Sequence, residues 1–172
     1  MPCSCAADLG KHPSTMEATF EKLLGLLADG EIRFVLVGGV AVTLHGYVRL
    51  TEDVDVLIER TPGNVTRLLS TLADYGEGFA RELSPEDFSD EEGAIRIVEE
   101  SEMSQIDVFT RISGFVYREL AADAEVFELG GRRILYASKA ALIRLKSSSV
   151  REKDQLDVAA LERLAEDPTA FD

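Results

Sequence analysis

Two aspartates stand one residue apart inside a greasy run, "DVDVLIE" from Asp53 to Glu59, and that placement constrains the fold more than any other feature. A short apolar run upstream, "RFVLVGG", reads as an interior strand that ends in the pair Gly38–Gly39. From Val40 to Gly46 a short helix fits, with Gly46 as its stop. Thirteen residues separate Gly39 from Asp53, which is room for one short helix and a return to the sheet. The Gly pair and the Asp pair are therefore expected at the same edge.

Side chains alternate faces along a strand, so Asp53 and Asp55 point the same way, with roots about 6.6 Å apart. Val54 and Val56 point the opposite way, into a core. Unpaired carboxylates this close raise a pKa and cost stability, so something cationic should offset them. An edge strand facing water is the plain alternative. Asp107, in "QIDVF", repeats the pattern of a lone acid flanked by apolar residues. If the two strands are neighbours, three carboxylates converge. An all-oxygen donor set without histidine or cysteine favours a hard cation, Mg²⁺ or Mn²⁺. Paired ions of this kind serve in-line phosphoryl or nucleotidyl transfer. Gly38 and Gly39 would let backbone N–H groups face a phosphate without side chains intruding. The pair is neither a GxGxxG nor a P-loop, and taken alone it also suits an ordinary tight turn.

Elsewhere the patterning is that of a mixed α/β chain. "STMEATFEKLLGLLADG" reads as a helix capped by Ser14 or Thr15, with Phe20, Leu23, Leu24 and Leu27 at helical spacing and Gly30 at its end. "TPGNVTRLLSTLADYG" reads as a helix with Pro62 in its first turn and Gly76 at its end. Residues 77–92 suit a loop. "AIRIVEE" with "QIDVFTR", and "AEVFELGGRRILYAS", read as two hairpins. Two helices close the chain, from about Lys139 to Ser147 and from about Glu152 to Ala165. The expected class is α/β (α+β), a central mixed sheet flanked by helices with a C-terminal helical pair. Residues 1–13, with Cys3, Cys5 and His12, are expected to form a disordered leader, and 14–172 a single domain whose C-terminal helices begin at about 138.

No apolar run approaches the roughly 20 residues of a membrane span, and the N-terminus lacks the order of a signal peptide, so a cytoplasmic protein is expected. The formal charge of −14 argues against gripping nucleic acid through its phosphates. Arg132, Arg133, Lys139, Arg144 and Lys146 remain as a local basic patch.

The combination of Gly38-Gly39, a thirteen-residue spacer, Asp53-Val54-Asp55-Val56 and a later Asp107 resembles the signature of the DNA polymerase beta-like nucleotidyltransferase superfamily. The finer pattern, Ala41, His45-Gly46, Arg49, Thr51 and Asp53, is similar to small standalone prokaryotic members, including toxin-type enzymes of abortive-infection systems. The tail "ALIRLKSSSVREKDQLDVAAL" looks like their C-terminal helices, so the likeness runs from about Phe34 to Leu161. It implies the nucleotidyltransferase fold, with Asp53, Asp55 and Asp107 as metal ligands and catalytic carboxylates. Gly38 and Gly39 would hold the β and γ phosphates, Lys146 would reach the triphosphate across the cleft, and Arg49 and Thr51 would line the pocket. For Arg49 a structural salt bridge to the carboxylates is an equal reading, as is pairing of Asp154 and Asp157 with Lys146 or Arg49. His45 reads as a hydrogen-bonding residue at a helix end. The implied reaction moves a nucleoside monophosphate from a nucleoside triphosphate such as ATP to a hydroxyl on a small molecule, a protein or RNA, with Mg²⁺ or Mn²⁺ as cofactor. A toxin-like role would bring an antitoxin partner. The alternative is a nucleotide-binding module or partner subunit that keeps the fold without turnover.

Overall fold

The computed structural model describes residues 18–100 and 104–172. The expected leader and the expected cap at Ser14 or Thr15 lie outside the described residues. Helix α1 (Ala18–Asp29) buries Phe20, Leu23, Leu24 and Leu27, the residues whose spacing marked it. Strand β1 (Phe34–Val37) is buried along its whole length, as a continuous apolar run demands. Helix α2 (Gly38–Leu44) starts at the Gly pair itself, two residues before the expected Val40. Strand β2 (Asp53–Ile58) returns beside β1, antiparallel, pairing Val37 with Asp55.

Helix α3 (Pro62–Leu72) is capped by Thr61, whose hydroxyl accepts from the Asn64 N–H at 3.4 Å, and Pro62 sits in its first turn. It ends at Leu72, short of the expected Gly76, and the following loop contains two 3₁₀ turns, Phe79–Glu82 and Pro85–Asp87. Asn64 is completely buried. Its side chain accepts from the Arg33 N–H at 2.8 Å and donates to the carbonyls of Arg33 and Glu59 at 3.0 and 2.8 Å, tying α3 to the entry of β1 and the exit of β2.

The first hairpin forms as β3 (Ala94–Glu99) and β4 (Ser104–Phe109), and the second as β5 (Glu125–Leu129) and β6 (Arg132–Tyr136). Between them lies α4 (Tyr117–Ala121), a five-residue helix too short to leave a periodic apolar signature. Helix α5 (Lys139–Lys146), capped by Ser138, and α6 (Glu152–Glu166) close the chain and pack on each other.

Among the described residues the six strands form one mixed sheet in the order β3-β4-β2-β1-β6-β5. β2 runs parallel to β4, and β1 parallel to β6. The expected class and the C-terminal helical pair are present. The crossover that sets β4 beside β2 is what positions the site. It brings Asp55 directly opposite Asp107, residues 52 positions apart. No described helix is long and apolar enough to cross a membrane.

Candidate active site

Burial along β2 alternates as the aspartate spacing requires: Asp53 and Asp55 are half-buried, while Val54 and Val56 have no exposure. On β4, Ile106 and Val108 take the core face and Asp107, 4% exposed, joins the aspartates. Like charges directly opposite on neighbouring strands destabilise a sheet, so three carboxylates here form an arrangement that packing alone does not favour. One oxygen from each lies within 4.8 Å of the others. Oxygens about 2.1 Å from an octahedral Mg²⁺ are about 3.0–4.2 Å apart, so a small closure of side chains lets all three share an ion. The set is all oxygen, and it suits a hard divalent cation.

Gly38 completes this corner. Its φ is +69°, in the left-handed region, and a Cβ built on it would stand 2.0 Å from Asp55 Oδ2. No other residue leaves both the backbone turn and the Asp55 carboxylate where they are. A Cβ on Gly39 would stand 2.8 Å from the Thr51 hydroxyl and 2.9 Å from the Arg49 guanidinium. Gly38, Gly39, Arg49, Thr51, Asp53, Asp55, Asp107 and Lys146 all line one cleft of about 450 Å³. Ala94, Phe109, Ile112, Leu142 and Leu145 give it an apolar flank.

A family profile described as "Nucleotidyl transferase of unknown function (DUF2204)" matches residues 16–171, nearly the whole chain. The chain belongs to this nucleotidyltransferase family. Among solved structures, the lincosamide antibiotic adenylyltransferase LnuA with lincomycin bound is 17% identical and superposes with a TM-score of 0.57, over 86% of this chain and 97% of that one. At that identity the likeness is one of fold. An antigenic nucleotidyltransferase-like protein from Paracoccidioides brasiliensis is 19% identical over 85% of this chain and 74% of its own, with a TM-score of 0.49. No curated protein matches the sequence.

In this nucleotidyltransferase Lys146 and Arg49 take the structural pairing with Asp154 and Asp157, one of the two expected readings, rather than the reach across the cleft. The Lys146 ammonium is not free to point across the cleft. It donates to Asp154 Oδ1 at 2.8 Å and sits 3.0 Å from Asp157 Oδ2, with only 12% of its side chain exposed. Five residues separate the end of α5 from the start of α6, and the tight return brings both acids under the lysine. Arg49 forks onto the same wholly buried Asp157, with Nε and Nη2 donating at 2.7 and 2.8 Å, and so pairs with α6 rather than with the cleft aspartates. Asp154 also accepts from the Ser149 hydroxyl at 2.7 Å. Burial would raise the Asp154 carboxyl, but the hydrogen bonds from Lys146 and Ser149 outweigh it and hold the group below the usual range. This network joins the loop after α2 to the C-terminal helices and closes one wall of the cleft. Thr51 donates to the Asp53 carbonyl at 3.3 Å, fixing the approach to β2.

Two residues that touch the carboxylates were not singled out by the sequence reading. Arg96 on β3 stands opposite Asp107 in the antiparallel register and forks onto it, Nε and Nη2 donating at 2.8 and 2.9 Å. The same Nη2 is 3.8 Å from Asp53 Oδ2. Gln105, opposite Asp53 on β4, donates its amide to Asp53 Oδ1. Arg151 and Lys153, both exposed, add positive charge at the mouth.

His45 lies outside the cleft. Its Nε2 is 2.8 Å from the Ala137 carbonyl and its Nδ1 3.2 Å from Glu125, so it fastens the end of α2 to the β6–α5 junction. Burial pushes its pKa below the usual imidazole value. The expected basic patch is largely neutralised: Arg132 pairs with Asp29 at 2.7 Å, Arg133 with Glu128 at 4.0 Å, and Arg144 with Asp123 at 3.9 Å, beside the paired Lys146.

Burial, then the neighbouring charges of Asp107 and Asp53, push the Asp55 carboxyl up to about 7, against the weaker opposing pull of Lys146 and Arg49. The folded-state value lies above the unfolded one of about 3.9, so the folded protein binds the extra proton between those values. Without divalent ions, Asp55 therefore costs stability increasingly as pH rises from about 4 to about 7. Asp55→Asn should remove that slope and become the more stable protein above pH 7, by at most about 4 kcal/mol. Urea unfolding of both proteins across pH 4–8 in chelator checks this, and parallel stability curves would contradict it.

Proposed function

We propose that this protein is a divalent-ion-dependent nucleotidyltransferase that moves a nucleoside monophosphate from a nucleoside triphosphate to a hydroxyl acceptor. The observation that carries this reading is the convergence of Asp53, Asp55 and Asp107 beside Gly38 on one cleft, in a chain of a nucleotidyltransferase family. Asp53 and Asp55 hold the ions, Mg²⁺ or Mn²⁺, and Asp107 is the third ligand. Held there, divalent ions would supply positive charge to the triphosphate and to the attacking and leaving oxygens. Gly38 and Gly39 offer backbone N–H groups to the β and γ phosphates at a position where any side chain would intrude. Arg49 and Lys146, held by Asp157 and Asp154, fix the wall against which the triphosphate lies, and Thr51 borders it. The acceptor oxygen bonds to the α-phosphorus as the bond to the bridging oxygen breaks. Pyrophosphate leaves, and Asp107 takes the hydroxyl proton.

The cleft volume of about 450 Å³ is that of a small-molecule site, which suits a nucleotide with a small hydroxylated acceptor. A protein side chain or an RNA end must approach through the mouth, and the neutralised basic patch supports RNA least. The motif likeness to toxin-type members extends the proposal to a growth-arresting enzyme with an antitoxin partner. That extension predicts arrest on expression of the wild type and none with Asp53→Ala.

The decisive assay follows label from α-labelled triphosphates into small-molecule, protein and RNA fractions, with Mg²⁺ or Mn²⁺. Transfer with pyrophosphate release by the wild type and not by Asp53→Ala supports the reading. Equal transfer by both contradicts it. Lys146→Ala should weaken triphosphate binding and also lower the nucleotide-free melting temperature, because the ammonium sits between two acids. Unchanged triphosphate affinity in that variant would leave Lys146 a purely structural residue.

A further inference from the structure

We propose that Arg96 is a built-in competing cation: its guanidinium occupies the third carboxylate, and an ion can bind Asp107 only when Arg96 swings away. This rests on the reading of the three aspartates as metal ligands. Arg96 presents two donors to both oxygens of Asp107, at 2.8 and 2.9 Å, the forked geometry that a guanidinium forms and an ammonium does not. It reaches Asp53 at 3.8 Å with the same Nη2, so one positive group bridges two of the three acids. A divalent ion held by both Asp53 and Asp107 would need that same place. Two cations a few ångströms apart beside one carboxylate repel, and occupancy by one excludes the other.

The position of Arg96 makes the exchange feasible. β3 is the edge strand of the sheet, and 55% of the Arg96 side chain is exposed, whereas Asp107 beneath it is buried. The guanidinium can leave into water by side-chain rotation alone, with the β3–β4 backbone ladder and the core residues Ile97 and Ile106 undisturbed. Asp55 receives no hydrogen bond from Arg96, so its carboxylate is open to an ion while Arg96 still holds Asp107. Arg96 then sets how much divalent ion, or how much help from a bound triphosphate, is needed to complete the set at Asp107. A residue that only pins β3 to β4 would do none of this.

Manganese binding read by the loss of the free Mn²⁺ electron paramagnetic resonance signal tests the inference without turnover or nucleotide. Arg96→Gln keeps length and polarity but removes the charge, and it should bind Mn²⁺ about tenfold more tightly than the wild type. Arg96→Lys, charged but unable to fork, should fall between them. The ion-free Arg96→Gln protein should melt lower than the wild type and gain more from Mn²⁺. Wild-type binding with equal or weaker affinity in Arg96→Gln overturns the inference alone. Absence of Mn²⁺ binding in all three proteins overturns the metal site and the inference together.

Discussion

Asp55→Asn is expected to lower nucleotidyl transfer at least a thousandfold while leaving the protein folded. The amide has the shape of the carboxylate it replaces, and Asp55 sits beneath Gly38 with no cationic hydrogen-bond partner of its own among the described contacts, so little else changes. What is lost is a negative ligand at the point where triphosphate charge has to be neutralised, worth several kcal/mol in the transition state. A thousandfold corresponds to about 4 kcal/mol of barrier. The prediction separates catalysis from stability, because the same substitution should stabilise the ion-free protein above pH 7. Activity within tenfold of the wild type would remove Asp55 from the reaction.

Asp157→Ala should destabilise the fold by about 3–5 kcal/mol, the range for removing one partner of a buried ion pair. Asp157 has no exposure, and Arg49 and Lys146 converge on it from different parts of the chain. Without it two mostly buried cations face each other with Asp154 alone to balance them. The urea midpoint measures the loss. A change below about 1 kcal/mol would mean that water reaches the network readily and that the cleft wall is not held by it. Triphosphate affinity should fall with stability, since Arg49 and Lys146 would lose the geometry they share.

The chemistry of the site was legible in the sequence because it is written in short spacings. Alternation along "DVDVLIE" and the lone acid in "QIDVF" predict which side chains leave the core, and the strands obey. The Gly pair was legible for the same reason, since only glycine tolerates both the backbone turn and the approach of Asp55. Pairings across long separations were not. For Lys146 the sequence leaves two readings, a cation reaching across the cleft and a partner of Asp154 and Asp157, and the α5–α6 return decides for the second. Arg132 and Asp29, 103 residues apart, neutralise part of what sequence alone presents as a basic patch. Arg96 is the intermediate case. Counting back symmetrically from the turn of the expected hairpin, residues 101–104, places Val98 opposite Asp107 and Arg96 two residues away on the same face, so the face was available from local pattern, although not the observed register, the fork or the reach to Asp53. Helix α4 escaped notice because five residues cannot display a helical period.

Titration calorimetry of a non-hydrolysable nucleoside triphosphate, with and without Mg²⁺, tests the central claim without needing the acceptor. The account predicts binding that depends on Mg²⁺ and is lost in Asp53→Ala. Failure of every triphosphate to bind with Mg²⁺ present, or binding that Asp53→Ala leaves unchanged, would contradict it.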